Sequence, residues 1–123
     1  VNALNIFLVE DHRDTRDGLA RLLRQSGHQV STAGSIAEAL RDLPGSGCEV
    51  LISDLGLPDG DGCELLRLAR LPPRIHTIAI TGFGMPADRR RTRDAGFRHH
   101  LVKPVDPDTL ERLLGKLDAG RGA

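Results

Sequence analysis

The chain predicts an α/β fold, a parallel sheet with helices on both faces. Three observations predict it. Short apolar runs alternate with segments of helical periodicity along the 123 residues. Residues 6–9, 50–53 and 77–80 are near-continuously apolar, as strands buried on both faces are. Gly, Pro and capping residues fall where the pattern changes.

The elements follow in order. Residues 6–9 form the first strand. A helix begins near Asp14 with Leu19, Leu22 and Leu23 on one face, and stops at Gly27. Residues 29–33 make a second, more polar strand, placed at a sheet edge. Ser35 and Glu38 form a capping box for a helix that runs to about Leu43 and breaks at Pro44-Gly45. The third strand is 50–53. Residues 55–62, rich in Gly, Pro and Asp, read as an irregular loop. Asp61 caps a third helix carrying Leu65, Leu66 and Ala69, which Pro72-Pro73 ends. The fourth strand is 77–80. Pro86 opens the fourth helix and Gly96 closes it. The fifth strand is 99–102. Asp106-Pro107 opens a fifth helix with Leu110, Leu113, Leu114 and Leu117 at core spacing. The Gly-rich tail, 118–123, is expected to fray.

Bulk properties narrow the function. The length fits a single domain, 1–123, with a core at about 5–117. Hydrophobic content of 39% supports a buried core. A formal net charge of +0 argues against direct binding of nucleic acid or of membrane surfaces. Cys48 and Cys63 match no zinc or redox spacing and read as half-buried thiols in a reducing compartment. No apolar stretch approaches the ~20 residues of a membrane span. No charged region precedes the first apolar segment, which argues against a secretory leader. A soluble cytoplasmic domain is expected.

In a parallel sheet all strand carboxyl ends share one rim, where open α/β sheets keep their chemistry. Glu10 and Asp11 follow the first strand, Asp54 the third, Thr81 the fourth and Lys103-Pro104 the fifth. Three carboxylates at one rim repel and need a cation. Oxygen donors without His or Cys suit a hard ion such as Mg²⁺; Mn²⁺ and Ca²⁺ use similar donors, whereas zinc prefers nitrogen or sulfur. The loop after Asp54 brings the Gly56 carbonyl over the same rim. A metal, an ammonium and a hydroxyl around one carboxylate can stabilise a phosphoryl group passing to Asp54 as nucleophile.

At these residues the chain resembles the receiver domains of two-component response regulators. The motifs are Glu10-Asp11, Asp54 within Ser53-Asp54-Leu55-Gly56-Leu57-Pro58-Asp59-Gly60-Asp61-Gly62, Ile80-Thr81-Gly82 and Val102-Lys103-Pro104. The resemblance implies a flavodoxin-like (βα)5 three-layer sandwich of strand order 2-1-3-4-5, an order that general accounts of this fold already illustrate with a family member. It implies a cis Lys103-Pro104 bond that aims the lysine inward, and Mg²⁺ held by Glu10, Asp11, Asp54 and the Gly56 carbonyl. It also implies phosphate from a histidine kinase or histidine phosphotransfer protein. Thr81 would act as the switch hydroxyl, moving the surface of the fourth helix, fifth strand and fifth helix.

Several positions bear on how that pattern operates here. His100 stands where the family has its switch aromatic, and a histidine is smaller and can ionise. Gly56 has no side chain to orient a hydrolytic water and Phe83 is apolar, so slow loss of the phosphoryl group is expected. Arg89, Arg90, Arg91 and Arg93 fall on the fourth helix, on the face receivers use for output, and would suit an acidic partner. Within these residues no helix-turn-helix or effector module follows the fifth helix, and the 54–62 and 82–85 segments resemble receivers of hybrid kinases.

Other functions fit less well. An aspartate-nucleophile phosphatase of the haloacid dehalogenase type needs a second acid two residues after the nucleophile, where this chain has Gly56. A flavin carrier of the same fold would want aromatic rings against the flavin, and the chain has no Trp or Tyr.

Overall fold

The computed structural model describes residues 3–82 and 86–121. The elements, in order, are β1 (Asn5–Val9), α1 (Arg13–Gln25), β2 (Gln29–Ala33), α2 (Ile36–Asp42), a 3-10 turn (Leu43–Gly45), β3 (Val50–Asp54), β4 (Gly56–Leu57), β5 (Gly60–Asp61), α3 (Gly62–Ala69), β6 (His76–Thr81), α4 (Pro86–Ala95), β7 (His99–Val102) and α5 (Pro107–Arg121). The main sheet has five strands in the order β2-β1-β3-β6-β7. All its pairings are parallel. Counting only its own strands, this is the expected 2-1-3-4-5.

Strand alternation divides the core into two layers. Phe7, Val9, Leu51 and Ala79 face the side of α2 and α3, with Ile36, Ala39, Leu65 and Leu66. Ile6, Leu8, Val50, Ile52, Ile78 and Ile80 face α1 and α5, with Ala20, Leu23, Leu110 and Leu114. Every residue of the central strand β3 is buried. That explains its apolar run and fixes its register, because a one-residue slip would exchange the two layers. The polar strand β2 lies at an edge, as expected.

Local signals act where they were read. Ser35 accepts from the Glu38 amide, and Asp61 accepts from the Cys63 amide. Gly27 and Gly96 take positive φ just past α1 and α4.

Four details differ from the sequence reading. Glu38 reaches the Gly34 amide and the Ser35 hydroxyl, so the box closes one residue early. Residues 56–61 are not irregular: β4 and β5 form a small antiparallel hairpin. It is anchored by Asp59, whose oxygens accept from the Ile36 and Ala37 amides at 2.8 and 3.0 Å. Those are orphan donors at the start of α2. The fifth helix continues through Arg121, four residues past its last buried leucine, Leu117, where fraying from residue 118 was expected. Both cysteines are buried, and outside any disulfide, rather than half-buried.

Candidate functional site

The carboxyl rim is assembled by backbone bonds between strand ends. The Glu10 amide donates to the Ala33 carbonyl at 3.0 Å, the Leu55 amide to Ile80 at 3.2 Å, and the Lys103 amide to Thr81 at 2.9 Å. Register places Asp54 opposite Ile80 and Thr81 opposite Val102. The Lys103-Pro104 peptide is cis.

Lys103 Nζ lies 2.6 Å from Asp54 Oδ2 and 3.4 Å from Glu10 Oε1. The Gly56 amide donates to the other Asp54 oxygen at 3.2 Å. Glu10, Asp11 and Asp54 each offer a carboxylate oxygen within 4.8 Å of the others. Glu10 and Asp54 are buried, and Asp11 is exposed. The Thr81 hydroxyl, also buried, donates to the Leu101 carbonyl at 3.5 Å.

The charges divide unequally. Burial pushes the Glu10 carboxyl from its ordinary 4.5 to about 7; its hydrogen bond with Asp54 and the Asp54 charge push the same way, against Lys103. Burial also opposes ionisation of Asp54, but hydrogen bonds to Glu10 and Lys103, the Lys103 charge and the Gly56 amide outweigh it and hold this carboxyl low. Burial pulls Lys103 down, and the two acids more than compensate, so its pKa is raised. The rim therefore holds an ionised Asp54, a charged Lys103 and, at neutral pH, a partly protonated Glu10. Asp54 is thus an ionised, half-enclosed carboxylate beside an ammonium.

The structure brings together Glu10, Asp11, Asp54, Gly56, Thr81, Lys103 and Pro104. His100 lies apart from this cluster, with Nε2 hydrogen-bonded to the Thr92 hydroxyl of α4. Phe83 lies outside the described residues. Of the arginines on α4, Arg91 is turned toward β5, pairing with Asp61 at 2.7 Å.

Sequence reasoning missed Gly62. A Cβ there would stand 2.6 Å from the Asp54 carbonyl oxygen and 3.2 Å from Leu55 Cα. Only glycine lets the start of α3 pack against the backbone of Asp54. The signal available was a glycine directly after the capping Asp61.

Comparison with known proteins places this architecture among receiver domains. A response regulator receiver domain protein (CheY-like) from Methanospirillum hungatei superposes with a TM-score of 0.88 over 98% of each chain, at 29% identity. CheY4 of Vibrio cholerae shares the fold, with a TM-score of 0.83 at 23% identity and 94% and 99% coverage. The chain belongs to the response regulator receiver domain family of two-component systems, whose profile matches residues 6–114. It is 38% identical to an uncharacterized 14.6 kDa protein from Leptolyngbya boryana, over 90% of this chain and 87% of that one. It is also 38% identical to the transcriptional regulatory protein UhpA of Salmonella typhimurium, covering 87% of this chain but 55% of that protein. The chain thus spans about half the length of such regulators, and 12% of the sensor histidine kinase RcsC, to which it is 30% identical. No helix among the described residues is long and apolar enough to cross a membrane.

Proposed function

We propose that residues 1–123 form one cytoplasmic domain that accepts a phosphoryl group on Asp54 from a phosphohistidine of a histidine kinase or phosphotransfer protein. The observation that carries this reading is the buried, ionised Asp54 held 2.6 Å from Lys103 beside two further acids.

A divalent cation fits the site. Glu10 Oε2 is buried with no hydrogen-bond partner, as a ligand oxygen awaiting a cation would be. Glu10, Asp11, Asp54 and the Gly56 carbonyl would hold Mg²⁺, and the same oxygens suit Mn²⁺. When bound, the ion neutralises charge on the phosphoryl oxygens.

The chain's own residues do the rest. An Asp54 oxygen attacks phosphorus in line, the P–N bond breaks, and its electron pair leaves on the imidazole nitrogen. The product is an acyl phosphate. Lys103, released from the Asp54 carboxylate, pairs with a phosphoryl oxygen. Thr81 turns its hydroxyl from the Leu101 carbonyl to another. That inward pull shifts β7, and with it His100 and the surface of α4 and α5. A cleft of about 630 Å³, lined by Glu10, Lys103, Leu19, Leu22, Val105 and Pro107, adjoins the site and would seat part of a phosphohistidine-bearing partner. The domain modifies itself and turns over no external metabolite.

Incubation with acetyl phosphate and Mg²⁺ tests this by intact mass. One phosphoryl group, about 80 Da, should be gained by the native chain and not by Asp54→Ala. Steady phosphate release that survives Asp54→Ala would overturn the reading in favour of a phosphatase.

A further inference from the structure

We propose, resting on the assignment of Glu10, Asp11, Asp54 and the Gly56 carbonyl as cation ligands, that Asp59 is a positioning residue for that site. It fastens the β4–β5 hairpin to the start of α2 and so sets the Gly56 carbonyl. Among the described residues β4 and β5 pair only with each other, through Gly56 with Asp61 and Leu57 with Gly60, and not with the five-stranded sheet. So short a hairpin does not hold its own place. Gly56 cannot fix itself by packing, since even a Cβ there would meet nothing within 4 Å.

The ties of the hairpin divide between its base and its tip. At the base the Gly56 amide donates to Asp54 Oδ1 at 3.2 Å, and the Gly62 amide to the Leu55 carbonyl at 2.9 Å. At the tip one carboxylate takes two donors. Asp59 Oδ1 accepts from the Ile36 amide at 2.8 Å, and Oδ2 from the Ala37 amide at 3.0 Å. Packing follows the same line. Leu57 is buried in one core layer with Ile36, and a Cβ on Gly60 would stand 2.9 Å from Ile36 Cδ1. Asp61 ties the other margin, but it also caps Cys63 and pairs with Arg91. Asp59 can be changed without loss of the α3 cap.

Two amide donors call for two oxygens on one carbon, which a carboxylate supplies. The bonds from the Ile36 and Ala37 amides hold the Asp59 carboxyl below its ordinary range. The cap belonging to α2 itself, Ser35, serves the Glu38 amide at 3.2 Å and leaves those two donors to Asp59. A second cap and nothing more would steady α2 and be indifferent to a cation at the rim. A positioning tie is reciprocal. If Asp59 aligns Gly56 for a cation, then a cation held by Gly56 steadies Asp59 and the two amides it accepts from, about twenty residues away in the chain.

The ¹⁵N-labelled chain is titrated with Mg²⁺ alone, without a phosphoryl donor. Amide shifts give the affinity, and hydrogen exchange at Ile36 and Ala37 is compared in chelator and in saturating Mg²⁺. Asp59→Ala should bind Mg²⁺ about tenfold more weakly, the low end for groups that orient a metal ligand. Asp59→Asn, which keeps one acceptor oxygen, should fall between, and it carries the test if the alanine variant does not fold. Ser35→Ala removes the other α2 cap and leaves the hairpin tied, so it should lower the urea midpoint and leave the Mg²⁺ affinity unchanged. In the native chain Mg²⁺ should slow exchange at both amides. Native affinity in the Asp59 variants, an equal loss in Ser35→Ala, or exchange at Ile36 and Ala37 indifferent to Mg²⁺ would each overturn the proposal. A native chain that binds no Mg²⁺ and gains no phosphoryl group from acetyl phosphate would overturn the phosphoryl-acceptor reading and this proposal with it.

Discussion

Without a divalent cation, the stability of this domain should fall as pH rises from about 5 to about 8, and Glu10→Gln should flatten that fall. The magnitude follows from the carboxyl itself. Glu10 titrates near 4.5 when unfolded and at about 7 in place. A carboxyl with a raised folded pKa prefers its proton in the native state. The stability this provides is fully present below about 4.5 and is lost as pH rises through about 7. At 1.36 kcal/mol per decade the gap is worth about 3 kcal/mol, an upper bound because Asp54 and Lys103 titrate with it. Asp54 contributes in the opposite sense, but its held-down carboxyl loses its contribution only as pH falls below 3.8, outside this window. Glutamine reproduces the protonated form, with one amide donor toward Asp54. Urea unfolding at pH 5, 6, 7 and 8 in the presence of a chelator measures the slope. The wild-type chain should lose up to about 3 kcal/mol over this range and the variant much less. Mg²⁺ should restore wild-type stability at pH 8, since it favours ionised Glu10. Equal slopes in the two proteins would refute the assignment of the proton to Glu10.

Three further outcomes are expected. Gly62→Ala should destabilise the fold by about 1–3 kcal/mol in urea and slow phosphoryl acceptance from acetyl phosphate, since its Cβ would press the Asp54 carbonyl from 2.6 Å. The acyl phosphate should last minutes rather than seconds. Gly56→Asn, whose Cβ would meet nothing within 4 Å, should fold normally and shorten that lifetime by orienting water, read by intact mass over time.

Most of the architecture was legible because its causes are local. The runs at β1, β3 and β6 are apolar because both faces are covered. The caps at Ser35 and Asp61 are decided within three residues. The rim acids, Thr81 and Lys103 were readable as a set because a parallel sheet delivers strand ends to one side. What escaped depends on contacts distant in sequence. The β4–β5 hairpin has no alternating pattern, and it is secured by Asp59 reaching 22 and 23 residues back to α2. The burial of His28 depends on the Leu4 amide, 24 residues away, which donates to its Nδ1 at 3.1 Å. The pairing of Arg91 with Asp61 spans 30 residues. An arginine run read as one face was divided by a partner that no local rule indicates.

The replacement of an aromatic by His100 changes what would hold the proposed switch. The Thr92 hydroxyl donates to the Arg89 carbonyl at 3.0 Å, so toward His100 it can only accept. Nε2 of His100 therefore carries the proton. Burial and the charges of Arg89 and Arg93 keep the ring neutral near pH 7. If Thr81 is drawn toward a phosphoryl group, β7 shifts and this bond opens. Thr92 then keeps its donor satisfied and gives up only a lone-pair contact. A net cost of about 1 kcal/mol is appropriate for such a bond. Lys103 only exchanges one anionic partner for another, whereas Thr81 would trade its long, 3.5 Å bond to the Leu101 carbonyl for a charge-assisted one worth about 1.5–3 kcal/mol. The gain exceeds the cost, so the bond can hold α4 in the resting state and still yield. An aromatic ring would be retained by packing, which tolerates small slides. A hydrogen bond to Thr92 has a direction, so in the proposed switch it would define the resting position of β7 against α4 more sharply.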